Sequence, residues 1–206
     1  MKRGLSAAGF LVATLVSASA FAQLTPIDTP TAAYTSGTTL MTIPGANLST
    51  TTTLTSGTQT LTFSSTVDVR TVPGGGWATW NSPPYVESST PKILAVVTGL
   101  TTMTITLSQP QTVFGFELEP NNGTQPMSLT FYNGATSLGT ISRTVVGTSG
   151  ALLFAASSTT PITSVVLTVP AGASGFGMAQ FRFGSAAPVP AMGPVALAAL
   201  ALTLLA

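Results

Sequence analysis

Hydrophobic and polar residues alternate strictly over several short segments of the chain. In segment 58–63 (TQTLTF) the side chains of Gln59, Leu61 and Phe63 fall on one face, and three threonines fall on the other. Successive side chains of a β-strand point to opposite sides, so a period of two predicts a strand with one face toward a core. Segment 103–107 (MTITL) has the same pattern, and its Met, Ile and Leu are predicted to point inward.

Further β-forming segments follow at short intervals, with glycine, proline, asparagine or serine between them. They are 113–119 (VFGFELE), 127–132 (MSLTFY), 162–169 (ITSVVLTV) and 176–183 (FGMAQFRF). Asn133-Gly134 predicts a hairpin with a type I′ turn, because this dipeptide accepts positive φ at both central positions. No segment between residues 23 and 185 has a clear helical period. The pattern therefore predicts about ten strands, essentially no helix, and an all-β fold of the antiparallel jelly-roll-like β-sandwich type.

The first 22 residues have the organisation of a secretory signal peptide. Lys2 and Arg3 precede an apolar stretch, 5–16, and residues 20–22 (AFA) form a small-x-small cleavage site. A membrane-spanning helix needs about 20 apolar residues, which is more than this stretch provides. We therefore expect a signal peptide over 1–22, cleaved on export, and a folded domain over 23–185.

The C-terminal segment, residues 186–206, combines prolines with an apolar run. Twelve residues follow Pro194, and as a helix they would span about 18 Å at 1.5 Å per residue, whereas a bilayer core is about 30 Å thick. Pro188 and Pro190 disfavour an earlier start of that helix. A final core helix is the other interpretation, but the run has no polar face. The segment therefore predicts a Pro-containing linker followed by a hydrophobic sorting signal.

These C-terminal residues resemble the PEP-CTERM and IPTL-CTERM sorting tails of bacterial surface proteins. The motif residues are Pro188, Val189, Pro190 and Pro194, followed by an Ala/Leu-rich segment. The resemblance implies recognition by an exosortase-type membrane protease and a final location in the bacterial cell envelope, at the cell surface or outside the cell. The Glu of a strict Pro-Glu-Pro motif and the closing basic cluster are both absent, and the first of these departures favours the IPTL-like variants.

Segment 114–184 resembles the β-sandwich domains that are often found before such tails. The stretches that carry the resemblance are FGFELEP, MSLTFYNGATSLGTIS, PITSVVLTV and GFGMAQFRFG, in that order. The resemblance implies a lectin-like or carbohydrate-binding architecture. A shared architecture does not by itself carry a function.

The composition restricts the chemistry that this chain can perform. Charged residues make up 5% of the sequence, against roughly 25% in a typical soluble domain, and threonine is the commonest residue. The chain has no cysteine and no histidine, so it lacks thiolate nucleophiles and any triad with an imidazole base. The net charge of +1 includes Lys2 and Arg3. With no basic patch to neutralise phosphates, nucleic acid is not an expected partner.

A long Gly/Pro-rich loop, PGGGWATWNSPPY, carries the aromatic residues that best suit a ligand. Trp77, Trp80 and Tyr85 are candidates for stacking on sugar rings, since aromatic faces pack on the apolar side of a sugar. Asn81 and Glu87 are candidates for hydrogen bonds to the sugar hydroxyls. The alternative is that both tryptophans plug the end of the sandwich.

A second candidate site lies around the end of the strand that contains FELE. Glu117, Glu119, Asn121 and Asn122 offer the hard oxygen ligands that calcium prefers. The two glutamates are also candidates for a general acid and base, although residues two apart on a strand point the same way and do not flank a substrate. A third interpretation is a pair of solvated carboxylates on an exposed face.

The leading functional prediction is a non-enzymatic, exported surface or matrix protein, sorted by its tail. The alternative is a carbohydrate-binding module with a polysaccharide as partner, which uses the aromatic loop with or without calcium. A hydrolase acting through the two glutamates is the third hypothesis. Arg143 and Arg182 are predicted to pair with those glutamates across strands, with no function of their own.

Overall fold

The computed structural model describes residues 24–185. The predicted signal peptide over 1–22, and the predicted linker and sorting tail over 186–206, lie outside the described residues. A short helix, α1, spans Ala32–Ser36, and a 3-10 turn spans Ala171–Ala173. The strands are β1 Leu24–Ile27, β2 Thr39–Leu40, β3 Thr50–Ser56, β4 Gln59–Thr71, β5 Lys92–Val96, β6 Thr102–Pro120, β7 Thr124–Asn133, β8 Thr136–Val146, β9 Leu152–Thr168 and β10 Phe176–Gly184.

The strand pairings in the described part of the chain are antiparallel, which confirms the prediction of an all-β antiparallel fold. The order along the sheet is β2-β10-β5-β4-β6-β9-β7-β8, with β1 joined to β9 and β3 joined to β4. Strand β10 also pairs with β6, so the sheet closes back on itself at this point. The arrangement is consistent with a β-sandwich.

The long strands β6 and β9 each contribute to two layers. Residues 102–106 of β6 pair with the second half of β9, residues 113–118 pair with its first half, and the register breaks in between. Pro110 and Pro161 lie at this break, where a residue without an N–H group is tolerated because the ladder is already interrupted. We call the layer with β7 and β8 the first sheet and the layer with β1, β5 and β10 the second sheet.

The core is formed by the faces of the two layers that the alternating pattern marks as apolar. Leu61 and Phe63 of β4 are 0% and 3% exposed, and Met103 and Ile105 of β6 are fully buried, as predicted. Phe181 of β10 packs against two core phenylalanines, with its ring centroid 5.0 Å from that of Phe116 and 6.0 Å from that of Phe63. These contacts join the two layers through a common apolar interior.

The helix α1 is a short exception in a domain that is otherwise built from strands, as predicted. It begins after Thr31, whose hydroxyl accepts a hydrogen bond from the N–H of Tyr34 and so caps the helix. The helix has five residues, which is too short to produce a visible 3.6-residue period. Tyr34 is its buried residue and packs against the second sheet with Val113, Leu153 and Ala155.

The predicted β7–β8 hairpin is present, but its turn is one residue further along than Asn-Gly. Asn133 pairs with Thr136, so Gly134 and Ala135 are the two turn residues. Gly134 has φ 55° and Ala135 does not have positive φ. A glycine at the first central position is what a type II′ turn requires, whereas type I′ needs positive φ at both positions. The type I′ prediction was therefore wrong.

Candidate functional site

The outer face of the second sheet is covered by the segment between β4 and β5. We call residues 72–91 the covering loop. Glu117 and Glu119 point from β6 to this outer face, opposite to Phe116 and Leu118, which face the core. Both glutamates are 0% exposed. The interpretation of Glu117 and Glu119 as solvated carboxylates was therefore wrong, because the covering loop removes them from water.

The two tryptophans of the covering loop donate hydrogen bonds to the two glutamates. Trp80 Nε1–H donates to Glu117 Oε2 over 2.7 Å, and Trp77 Nε1–H donates to Glu119 Oε2. The side chains of Trp77 and Trp80 are 6% and 1% exposed, so most of each ring is packed against the protein. Both tryptophans are thus packed, but against the outer face of the second sheet rather than at the end of the sandwich, and each indole N–H is the partner of a buried carboxyl group.

The remaining carboxyl oxygens also contact the covering loop. Glu117 Oε1 accepts a hydrogen bond from the backbone N–H of Glu87 over 2.6 Å, and Glu119 Oε1 lies 2.8 Å from Thr79 Oγ1. All four oxygens of Glu117 and Glu119 thus have a partner in the loop. This satisfies the rule that buried polar groups are hydrogen-bonded, and it anchors the loop at two neighbouring points of one strand.

The predicted calcium site is not assembled in this arrangement. Glu117 and Glu119 direct their oxygens to the covering loop, whereas Asn121 and Asn122 are exposed beyond the end of β6. Asn121 Nδ2–H donates to the carbonyl oxygen of Ser174 over 3.1 Å. Among residues 24–185, no three acidic, histidine or cysteine side chains come together as a metal-binding group.

Burial raises the pKa of both glutamates. The pKa of Glu117 rises to about 8 because burial disfavours the charged form, against the opposing effect of the Trp80 and Glu87 N–H donors. The pKa of Glu119 rises to about 7 for the same reason, with Trp77 and Thr79 opposing it. Both groups therefore favour the neutral acid in the folded protein at mildly acidic pH.

The hydrogen bonds of Thr79 give independent support for a neutral Glu119. Thr79 Oγ1 lies 2.6 Å from the carbonyl oxygen of Gly147 and 2.8 Å from Glu119 Oε1. A hydroxyl has one proton and a carbonyl oxygen only accepts. Both contacts are satisfied together only when Thr79 donates to Gly147 and a protonated Glu119 donates to Thr79.

Small residues on the strands allow the tryptophans to lie close to the sheet. A Cβ atom on Gly177 of β10 would come within 3.0 Å of Trp77 Cζ2 and of Ile93 Cδ1. Ala95 of β5, Ala179 of β10 and Ala151, next to the start of β9, belong to the same buried cluster as the two tryptophans. Glycine and alanine are weak strand formers, and here their small size makes room for the rings.

A buried ion pair also holds the covering loop, at Glu87. Glu87 accepts two hydrogen bonds from the Arg182 guanidinium, each 2.7 Å long, and the two side chains are 11% and 10% exposed. Arg182 also donates to the carbonyl oxygens of Thr35 and Thr38 and so connects the loop to helix α1. The predicted pairing of arginines with Glu117 or Glu119 was wrong, since Arg143 pairs with Asp28.

Sequence reasoning missed the Glu87–Arg182 pair, although a signal for it is present. Arg182 lies in the apolar segment FGMAQFRF, and a buried arginine needs a partner that accepts hydrogen bonds from its guanidinium. The identity of that partner depends on which loop covers the strand, which strand patterns do not specify.

The covering loop lines two neighbouring cavities, which we together call the loop groove and individually its two halves. Its first half has a volume of about 430 Å³ and lies between residues 74–79 and the turns at 120–121 and 147–148. Its second half has a volume of about 270 Å³ and is lined by residues 72–73, 78–81 and 89–90 of the covering loop and by the segment 148–150. The two halves share the lining residues Ala78, Thr79 and Thr148.

Three of the five residues predicted to bind a ligand line the loop groove, and two do not. Trp77 lines the first half, and Trp80 and Asn81 line the second half. Tyr85 is 40% exposed and lines neither half. Glu87 is held by Arg182 and its side chain also lies outside the groove lining. The structure therefore places Trp80 and Asn81 at one cavity and Trp77 at the other, and does not bring the five residues together.

Comparisons with known proteins do not assign the chain to a family. Within the described residues, no helix has the length and apolar character that crossing a membrane requires. No protein-family model matches the chain, and no curated protein matches it. Among solved structures, the enzymatically active domain of tailspike protein 4 from bacteriophage CBA120 is similar, with 18% identity and a TM-score of 0.32. The similarity covers 61% of this chain and 19% of that chain. A match with so low an identity and TM-score shows neither a shared fold nor shared chemistry.

Proposed function

We propose that this chain is a non-enzymatic, exported surface protein whose β-sandwich is of the jelly-roll type. The observation that supports this proposal concerns Glu117 and Glu119, the pair of carboxyl groups best placed in the sequence for hydrolysis: both are taken up by structural hydrogen bonds. All four of their oxygens contact the covering loop, and neither side chain is exposed. A general acid or base has to reach the substrate, so these groups act as anchors for the loop.

Export and sorting are tested in a bacterium that has an exosortase-type protease and in a strain that lacks it. The full chain, with an epitope inserted at the Gly134-Ala135 turn, is followed by cell fractionation and by mass of the mature protein. We expect removal of residues 1–22 and of the C-terminal tail, with the second cleavage lost in the protease-deficient strain. Pro188→Ala with Pro190→Ala should impair sorting, and Ala186→Ser in the same segment is the matched control. Retention of the intact chain in the cytoplasm of both strains would contradict the proposal.

The loop groove favours a second candidate function, binding of carbohydrate. Trp77 and Trp80 each contribute to one half of the groove, and the exposed polar residues around them are Asn81, Asn121 and Thr148. Ligand sites combine apolar and aromatic walls with a few polar groups that fix orientation. The amides and hydroxyls in this groove suit the hydroxyls of sugars, whereas the two tryptophan rings are mostly packed against the protein.

Carbohydrate binding is tested by co-sedimentation of the full chain with insoluble polysaccharides, with and without a calcium chelator. We expect retention that the chelator does not change, because the carboxyl oxygens of Glu117 and Glu119 are occupied by the covering loop. Asn122→Ala serves as the control, since Asn122 is exposed and lies outside the groove lining. Absence of retention on every polysaccharide would reject this second candidate and leave the first one standing.

A further inference from the structure

The chain contains the dipeptide Asn-Gly at two places, Asn122-Gly123 and Asn133-Gly134, and both lie where one strand ends and the next begins. Asparagine followed by glycine is prone to deamidation, because glycine has no side chain to hinder attack by its backbone nitrogen on the asparagine amide. The sequence makes the two dipeptides chemically equivalent. Their surroundings in the structure differ.

The Asn133-Gly134 dipeptide is held by strand β9 at both of the groups that react. The side-chain amide of Asn133 donates a hydrogen bond to the carbonyl oxygen of Pro161 over 2.6 Å. The backbone N–H of Gly134 donates to Thr163 Oγ1 over 2.8 Å. The Gly134 nitrogen becomes a nucleophile only after it loses its proton, so deamidation at this turn requires local opening of both hydrogen bonds.

The Asn122-Gly123 dipeptide lies in the turn between β6 and β7, and both of its residues are exposed. Their hydrogen bonds within the described residues use only carbonyl oxygens. The carbonyl oxygen of Asn122 accepts from Gln125 Nε2 over 3.1 Å, and that of Gly123 accepts from the N–H of Gly147 over 2.9 Å. In the described part of the chain, neither the nitrogen that attacks nor the amide that leaves is therefore held by a hydrogen bond.

We propose that Asn122 is a site of spontaneous deamidation, with water as the co-reactant, and that the fold protects Asn133 from the same reaction. The Gly123 nitrogen loses its proton to solvent and bonds to Cγ of Asn122, and the Cγ–Nδ2 bond breaks with release of ammonia. Water then opens the cyclic imide at one of its two carbonyl carbons. The product is aspartate when the new bond to Cγ breaks, or isoaspartate when the original main-chain bond breaks.

The reaction adds a carboxylate to a chain with few charges and alters a turn beside the loop groove. The preceding residue, Asn121, lines the first half of the groove, and its N–H donates to the carbonyl oxygen of Gly175 over 3.0 Å. Isoaspartate lengthens the main chain by a methylene between this bond and the bond that joins Gly123 to Gly147. The inference depends on neither candidate function, since the reaction needs no ligand.

The test follows the full chain at neutral pH by peptide mapping with mass spectrometry, in which replacement of the amide NH₂ by OH marks a converted asparagine. We expect Asn122 to convert at least about fivefold faster than Asn133 in the folded protein, because the second site first has to break two hydrogen bonds. In urea, where both dipeptides are unfolded, the two rates should be comparable. Asn122→Gln should remove the fast conversion, since the longer side chain disfavours ring closure.

A substitution on β9 tests the protection of Asn133 directly. Thr163→Val removes the acceptor of the Gly134 N–H with little change of shape, and it should accelerate conversion at Asn133 at least about twofold. Thr168→Val is the matched control, because Thr168 is exposed on the same strand, at the far end of its pairing with β7.

Three results would overturn the inference. One is equal conversion of Asn122 and Asn133 in the folded protein, or a difference between them that persists in urea. Another is an unconverted Asn122 in the folded protein under conditions in which the unfolded chain reacts. The third is unchanged conversion of Asn133 in Thr163→Val, which would show that its hydrogen bonds to β9 do not protect it.

Discussion

Trp80 donates its indole N–H to Glu117 Oε2 over 2.7 Å, although 37 residues separate the two in the chain. Trp77 makes the same kind of bond to Glu119 across 42 residues. The two bonds lie side by side because the glutamates are two positions apart on β6 and therefore point to the same face. They convert a Gly/Pro-rich loop into a fixed cover over the outer face of the second sheet.

Removal of one indole N–H should destabilise the domain. In Trp80→Phe, Glu117 Oε2 loses its donor and stays buried, which costs about 1–3 kcal/mol for an unsatisfied polar group, with a further loss from packing. The free energy of unfolding from urea titration is the measurement. Tyr85→Phe is the control, since Tyr85 is 40% exposed and substitutions at such sites change stability by less than about 0.5 kcal/mol. Equal stability of Trp80→Phe and the original chain would contradict an anchoring role.

The raised pKa values of the two glutamates predict stability that falls as the pH rises. Between pH 5 and 8 the folded protein binds more protons than the unfolded chain, because the pKa values are about 8 for Glu117 and about 7 for Glu119 when folded and 4.5 in the unperturbed state. The free energy of unfolding therefore decreases with pH through this window and levels off above it. The unfolding midpoint in urea, measured at intervals from pH 5 to 9, tests this.

Amide variants identify the groups responsible for that slope. Glu119→Gln removes one of the two titrating groups while keeping an acceptor for Trp77, so the pH dependence between pH 5 and 7 should become shallower. Glu117→Gln should reduce the slope that remains toward pH 8. A stability profile that is flat, or that rises over this range in the original chain, would show that the two carboxyl groups ionise normally in the fold.

Glu87 and Arg182 should contribute to the free energy of unfolding as a coupled pair, so that the effects of replacing them are not additive. Glu87→Gln or Arg182→Met leaves a buried charge without its partner, and such changes cost about 3–5 kcal/mol. The double variant removes both charges and should recover part of that loss. A double-mutant cycle of unfolding free energies then gives a coupling energy of about 0.5–3 kcal/mol for residues in contact. Additive effects would contradict the direct pairing. The exposed Arg143–Asp28 pair, with Asp28 70% exposed, is a matched control with a smaller coupling.

Tyr34→Phe should maintain or increase stability. The Tyr34 ring is 5% exposed, and its hydroxyl is buried without a hydrogen-bond partner. An unsatisfied buried polar group costs about 1–3 kcal/mol, so its removal without loss of the ring should stabilise the domain by up to that amount. Thermal unfolding checks this, with Tyr132→Phe on β7 for comparison. A clear loss of stability in Tyr34→Phe would reveal a hydrogen bond of this hydroxyl.

The alternation of apolar and polar residues was sufficient to predict parts of β4 and β6 and which of their side chains point inward. Leu61, Phe63, Met103 and Ile105 are buried as expected, since a period of two leaves each strand only one apolar face to bury. The hairpin at β7–β8 also follows from local chemistry, although the position of the turn does not, because Asn-Gly and Gly-Ala both suit two-residue turns.

The candidate site could be predicted only in part. The aromatic loop and the FELE segment were each identified as unusual, but as two separate sites, one for a ligand and one for calcium. In the structure Trp77 and Trp80 are hydrogen-bonded to Glu119 and Glu117, so the two segments form a single arrangement. A strand pattern specifies that a residue lies on the face opposite the core, but not whether that face contacts water or another part of the chain.

The sequence by itself therefore determined the all-β class, the inward side chains of the alternating segments and the sparsely charged, hydroxyl-rich character of the chain. Only the tertiary structure decided that Glu117 and Glu119 are buried, that Arg182 pairs with Glu87, and that the covering loop forms a groove with the turns at 120–121 and 147–148. The physical reason is sequence distance. Local patterns record short-range backbone preferences, whereas these contacts join residues 37 to 95 positions apart, and they form only when the chain topology brings the loop onto the sheet.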